Sequence, residues 1–306
     1  MSCRGTNDLK IAMSVLAVLA AALPSSGRAA RPAASSQPVA AEMTVLQKEI
    51  ISKLSGNGEI RPGVKLANRS TLENRQEVRA YLAELLQRLG LEPKRQAYGT
   101  EGENIFAILS CGLPAAEAVV FGAHYDSARN SPGANDNASG VATVAAVARE
   151  MKRFKIRSRD IIFVFFDEEE RGLRGSRAFA QLLKDEKRAI HSVHTIDQMG
   201  WDQDGDRAIE LEVPYEGALA LYQKAAAALK MNISIHTTTE QGSDHSAFRR
   251  MGYPAVGITE EYRNKDTTPH IHRPGDTLET VNFDYLASTS SLMFEVMKML
   301  EQRRKP

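Results

Sequence analysis

Hydrophobic positions along the chain follow two patterns. In "MTVLQKEIISKL" (43–54) and "VRAYLAELLQRL" (78–89) apolar residues recur every three or four positions, the period of a helix with one buried face. Ser70 with Glu73 reads as a capping box opening the second of these helices, and Gly90 as its stop. By contrast "NIFAIL" (104–109), "EAVVFGAHYDS" (117–127), "IIFVFF" (161–166), "AIHSVHTI" (189–196) and "YPAVGI" (253–258) hold short apolar runs without strict alternation. Such runs suit strands covered on both faces. Helical spacing returns in 138–154, 178–184 and 215–230, and residues 284–301 predict a last helix. Buried strands interleaved with helices predict an α/β fold: a mostly parallel mixed sheet flanked by helices on both faces, in a single domain.

The N-terminus breaks the pattern. Arg4 and Lys10 stand against Asp8, and "IAMSVLAVLAAAL" (11–23) follows, then Pro24 and small residues to Ala30. This is the layout of a secretory signal peptide, too short to span a bilayer as a mature helix. The expected signal is residues 1–29, with a cut after Ala41 as an alternative; 30–41, rich in Pro, Ala and Ser, reads as a flexible leader. Residues 42–306 are then the globular domain of a secreted or periplasmic protein, with no stable membrane association after cleavage. No cysteine lies at the cleavage region to carry a lipid. Cleavage removes Cys3 and leaves Cys111, so no internal disulfide is expected, and Cys111 reads as a buried inert thiol. Lys plus Arg (39) balance Asp plus Glu (38), and no basic surplus points to nucleic acid as a partner.

In α/β sheets ligands bind at the carboxyl ends of strands, and there the apolar runs stop in ligand-forming side chains. "VVFG" leads to His124 and Asp126, "IIFVFF" into Asp167–Glu170, and "HSVHTI" to Asp197. "GANDNASG" places Asp136 before a helix, and "HIHRPGDT" adds His272 and Asp276. Imidazoles and carboxylates without cysteine suit zinc, manganese or cobalt in a catalytic site. Singly, each has a plainer reading: a dipole-favoured acidic turn, a helix N-cap, a core histidine.

Taken together and in order, "GAHYDS", "GANDNASGVA", "FFDEEERGLRGS", "IDQMGWD", "GSDHSAF" and "HRPGDT" resemble the M28 zinc peptidases, co-catalytic dizinc aminopeptidases, from about Arg79 onward. The resemblance implies two Zn²⁺ per chain, with His124 and Asp197 on one, Glu170 and His272 on the other, and Asp136 bridging. It implies Glu169 as general base and Asp126 as the carboxylate orienting His124. A register shifted by one would make Glu168 the base and Glu169 the ligand, and His270 is an alternative to His272. Asp244 and His245 are expected on the substrate side, unless Ser243 merely caps a helix there, and Tyr262 as support for the oxyanion. Asp276 is expected to steady His272, Gly172 and Gly175 to turn the chain, and divalent cations to neutralise the acid block.

The implied activity is that of an exported aminopeptidase acting on peptides with a free N-terminus. A glutaminyl cyclase with one zinc, or a carboxypeptidase or dipeptidase of the same family, are alternatives. A binding module with a dead site is disfavoured, because every implied ligand position and the base hold competent residues.

Overall fold

In the computed structural model residues 36–302 are described, Ala115 excepted, so the expected signal peptide lies outside the described residues. Eight strands form one mixed sheet in the order β1-β2-β4-β3-β5-β8-β6-β7. They are β1 (Lys94–Tyr98), β2 (Gly102–Leu109), β3 (Ala118–His124), β4 (Asp160–Phe166), β5 (Ile190–Ile196), β6 (Ile209–Glu212), β7 (Ile235–Thr238) and β8 (Ala255–Thr259). The central strands β4, β3, β5 and β8 run parallel, whereas β1–β2, β2–β4 and β6–β8 pair antiparallel. This is the α/β class with a mixed sheet that the apolar runs predict.

Alternate residues of each central strand enter different cores. Val119, Phe121 and Ala123 of β3, with Ile161, Phe163 and Phe165 of β4, face a large core. It is completed by α1 (Ser36–Leu54), α2 (Leu72–Arg88), α3 (Gly140–Arg153), α5 (Ala218–Ala228) and α7 (Phe283–Glu301). Val120, Ile162, Val164 and Phe166 face a smaller one closed by Phe179 and Leu183 of α4 (Arg174–Asp185) and Phe248 of α6 (His245–Arg250). Burial on both sides explains why these strands lack alternation.

Several local expectations need correction. Helix α1 starts at Ser36, inside the segment 30–41 expected to be a flexible leader. Pro38 is compatible with that start, since the first helical turn leaves its N–H groups unpaired anyway. The cap of α2 is Thr71, whose hydroxyl accepts the Asn74 N–H at 3.2 Å, while Ser70 bonds Asn68 instead. Gly90 ends α2 as expected, at φ +75°, with the Leu91 N–H returning to the Leu86 carbonyl. Cys111 is partly exposed rather than buried, because it lies just past the end of β2 in a turn.

The end of β4 is fastened by helix α2. Asp167 is fully buried between Arg75 Nε at 3.0 Å and Arg79 Nη2 at 2.6 Å, and its backbone N–H donates to Asn104 Oδ1 at 2.9 Å. Glu168 faces the same side, toward Arg75, Arg171 and Arg174. Half of the acid block is therefore neutralised by arginines, not by metal. Removing one partner of a buried ion pair strands the other, at a cost of about 3–5 kcal/mol. Accordingly, Arg75→Met and Arg79→Met should each lower the unfolding free energy in urea by about 3 kcal/mol or more. Arg61→Met, which breaks an exposed pair with Glu77, should leave the urea midpoint nearly unchanged.

Candidate metal centre

The carboxyl ends of β3, β4 and β5 and two loops bring five predicted ligand side chains together. His124 Nε2 lies 3.4 Å from both Asp136 Oδ1 and Asp197 Oδ1. His272 Nε2 lies 3.1 Å from Asp136 Oδ2 and from Glu170 Oε2. Two groups of possible metal ligands result, His124–Asp136–Asp197 and Asp136–Glu170–His272, and each group's donor atoms fall within 4.8 Å of one another. Asp136 belongs to both through its two oxygens. His270 is not part of either group; its ring stands edge-on to Trp201.

Each donor is aimed by its loop. Asn137 Nδ2 donates to the Ile196 carbonyl at 2.8 Å, and its Oδ1 accepts the Gly140 N–H, tying the Asp136 loop to the end of β5 and to the start of α3. Asp276 accepts the N–H groups of Asn135 and Asp136 at 2.7 and 3.0 Å. It therefore orients the shared carboxylate's backbone, and not His272 as the sequence suggested. Glu260, fully buried, accepts from Asn135, Thr267 and the backbone of Trp201 and Thr268. Burial pushes Glu260 up to about 8 and Asp276 to about 6, against the pull of these donors. Glu168, Gln198 and His272, next to or within the ligand set, are non-glycine residues at positive φ, between 54° and 56°. Strain of this kind persists where surrounding structure over-determines it, and it gathers at functional sites.

Within the acid block the side chains diverge. Glu168 turns to the arginines, whereas Glu169 and Glu170 line a cavity of about 300 Å³ with Asp136, Asp197 and His272. One carboxylate holds both glutamates: Asp126 Oδ1 accepts the Glu169 N–H at 3.0 Å and Oδ2 the Glu170 N–H at 3.2 Å. The same Oδ1 is 3.4 Å from His124 Nδ1, the ring atom facing away from the ligand group. Gly172 takes a positive φ of 93°, as a sharp turn requires. Gly175 has a different role, since a Cβ there would meet the Asp167 carbonyl oxygen.

The electrostatics call for added positive charge. Burial, reinforced by Asp197, Asp244 and Asp126, drives Glu169 well above the usual carboxylate range, against the pull of His124. Burial likewise raises Glu170. His272 is pushed up to about 11 by its bonds to Asp136 and Glu170. His124 rises despite the opposing effect of burial, through Asp197 and Glu169. A divalent cation meets the same demand and releases protons as it binds. Glu170 Oε1, buried without a hydrogen bond, adds a free donor atom, so the residues present fit a metal pair.

Of the residues expected on the substrate side, only Tyr262 lines the cavity. Asp244 and His245 are buried and do not line it, whereas their neighbours Gly242 and Ser243 do. Asp244 is the N-cap of helix α6 and His245 its first residue, with His245 Nε2 3.1 Å from the Glu240 carbonyl oxygen. Sequence reasoning missed the fastening residues: Arg69, Arg75, Arg79, Asn135, Asn137 and Glu260. Arg69 is the extreme case, fully buried and donating to the carbonyls of Leu54, Tyr125, Pro132 and Gly133. Nothing in "ANRSTL" marks it as other than a surface arginine. In the other close acid groups, Asp202–Asp204–Asp206 and Asp204–Glu261–Asp266, the four aspartates cap backbone N–H groups and Glu261 accepts from Asn264 Nδ2.

Comparison with known proteins identifies the chain's family and fold. A family profile described as Peptidase family M28 matches residues 104–297. Aminopeptidase YwaD of Bacillus subtilis is 30% identical over 193 residues, covering 60% of this chain and 41% of its own length. The chain thus spans well under two thirds of that relative. Among solved structures, the LapA aminopeptidase of Legionella pneumophila superposes with a TM-score of 0.75 at 20% identity, covering 89% of this chain and 76% of that one. BSAP, a zinc aminopeptidase from Bacillus subtilis, gives 0.61 at 24% identity over 69% and 53%. A glutaminyl cyclase from Porphyromonas gingivalis gives 0.69 at 17% identity over 84% and 98%; at these identities all three likenesses speak to fold alone.

The support under the shared aspartate yields a measurable consequence. Asp276→Ala removes the acceptor of both the Asn135 and Asp136 N–H groups. It should weaken zinc affinity by about 10–100-fold in competition with a chromophoric chelator. Unchanged affinity would show that this anchor does not position Asp136.

Proposed function

Because the chain belongs to peptidase family M28, whose profile covers residues 104–297, we propose that it is an exported metallo-aminopeptidase that releases the first residue of peptides. The observation that carries this reading is the pair of ligand groups sharing Asp136, with the free carboxylate of Glu169 in the same cavity. His124 and Asp197 would hold one zinc ion, Glu170 and His272 the second, with Asp136 common to both. Zinc held there would polarise the scissile carbonyl and make water a stronger acid.

The chain's own groups do the rest. The Glu169 carboxylate takes a proton from the attacking water and returns it to the leaving nitrogen. Asp126 keeps Glu169 and Glu170 in register through their N–H groups and faces His124 Nδ1, which leaves Nε2 for the ligand group. Tyr262 on the cavity wall offers a hydroxyl donor to the carbonyl oxygen as it gains charge. In this reading residues 1–29 are the export signal and peptides with a free N-terminus the substrates. A glutaminyl cyclase on the same scaffold would use one metal, and two ligand groups around one aspartate favour the hydrolase.

Metal content decides first: the purified mature chain exchanged into zinc buffer should carry about two zinc ions. It should cleave aminoacyl-arylamides with free but not acetylated α-amines. One zinc, with cyclisation of N-terminal glutamine and no hydrolysis, would establish the cyclase. Glu169→Gln should retain zinc and lose about 10²–10⁴-fold in turnover. Glu170→Gln should instead lower zinc content. If Glu168→Gln abolished turnover and Glu169→Gln did not, the base would be misassigned.

A further inference from the structure

Besides Glu169 and the acids grouped around Asp136, the cavity contains two more, Glu212 and Glu240. Their surroundings differ. Glu240 is paired with the guanidinium of Arg263. Glu212, the last residue of β6, has a side chain only 7% exposed, and among the described residues its Oε2 finds no hydrogen-bond partner. The polar atom facing it is His245 Nδ1, at 3.4 Å.

That imidazole is a poor partner for a carboxylate. His245 Nε2 lies 3.1 Å from the Glu240 carbonyl oxygen, an acceptor that places the ring proton on Nε2. Burial lowers the ring to about 4, so it is neutral near pH 7 and Nδ1 presents a lone pair. Room for the unpaired carboxylate is made by Gly257, which sits opposite Glu212 in the β6–β8 ladder. A Cβ at Gly257 would strike Glu212 and lie 2.6 Å from His245 Nδ1. Among the described residues lining the cavity none is Lys or Arg. The fold thus carries a buried carboxylate to the cavity wall and gives it no donor.

We propose that Glu212 selects the first residue of the substrate, favouring peptides that begin with a cationic side chain, lysine or arginine. This rests on the aminopeptidase reading, in which the first side chain occupies the part of the cavity away from the metal ligands. Burial, with Asp197 and Glu240 nearby, pushes Glu212 up to about 8. A proton held there leaves as the substrate's ammonium or guanidinium arrives, and the charge-assisted hydrogen bond replaces it. A chain of methylenes reaching past Tyr262 would keep such a head group on course.

The test compares a cation with its uncharged analogue on the zinc-loaded enzyme. Binding of free L-lysine and L-norleucine is followed by thermal shift, and hydrolysis of their arylamides by kcat/KM. Lysine should exceed norleucine by about tenfold or more in both, the size of one charge-assisted hydrogen bond. Glu212→Gln should collapse that ratio toward one. Equal handling of lysine and norleucine by the wild type overturns the proposal without recourse to a variant. So does a Glu212→Gln loss of equal size on both, which would place Glu212 at the α-ammonium shared by all substrates. Selective lysine binding without cleavage of any arylamide would sustain the pocket and defeat the aminopeptidase reading; cleavage that favours norleucine would do the reverse.

Discussion

Negative charge concentrated at the carboxyl ends of parallel strands is the constraint around which this molecule is arranged. Asp126, Asp136, Asp167, Glu168, Glu260 and Asp276 are all buried within one end of the sheet. An isolated buried carboxylate is prohibitively costly, so each must find a donor or a cation. Three solutions appear. Asp167 and Glu168 take arginines from α2 and the turn after β4. Asp126, Glu260 and Asp276 take backbone N–H groups. Asp136, Asp197 and Glu170 have two imidazoles between them, too little positive charge for three carboxylates, and that shortfall marks the candidate metal site.

The second solution links charge balance to geometry. A carboxylate that accepts two N–H groups fixes the orientation of the peptides that carry them. Asp126 does this for Glu169 and Glu170, and Asp276 for Asn135 and Asp136. The groups that solve the burial of one acid thereby aim the next. Adjacent glutamates serve different ends for the same reason: Glu168 at φ +54° turns the chain off the strand, so neighbouring side chains no longer alternate across a sheet.

Legibility followed the same division. Central strands β3, β4, β5 and β8 and the long helices were readable because burial on two faces or one writes itself into hydrophobic periodicity. Short edge strands β1 and β7 were not: "KRQAY" and "IHTT" are polar, and their structure comes from pairing with a neighbour. The candidate ligands were visible as a set because imidazoles and carboxylates stand where apolar runs stop, at the strand ends where α/β sheets bind ligands. Their supports were not, since Arg69, Arg79 and Asn137 bond to backbone atoms far off in sequence. Asp276 shows the limit well: the motif marked it, yet the partner it holds, the peptide of Asp136, lies 140 residues away.

Asp244, which does not line the cavity, also has two buried oxygens without a hydrogen bond among the described residues; of the acids of the cavity wall Glu212 stands apart. It receives neither arginine nor N–H, and His245, the side chain nearest its free oxygen, offers a lone pair. A structural carboxylate in that state would be better replaced by an apolar residue, because an unsatisfied buried acceptor costs about 1–3 kcal/mol. Strand β8 instead gives up a side chain at Gly257 to accommodate it. An acid retained at a cost to stability, on the wall of the cavity that holds the reacting groups, is most simply explained by what it meets there from outside the chain. The metal-facing acids and Glu212 then share one logic. Each is left short of positive charge by the fold, a shortfall that metal would meet in the first case and, on the proposed reading, substrate in the second.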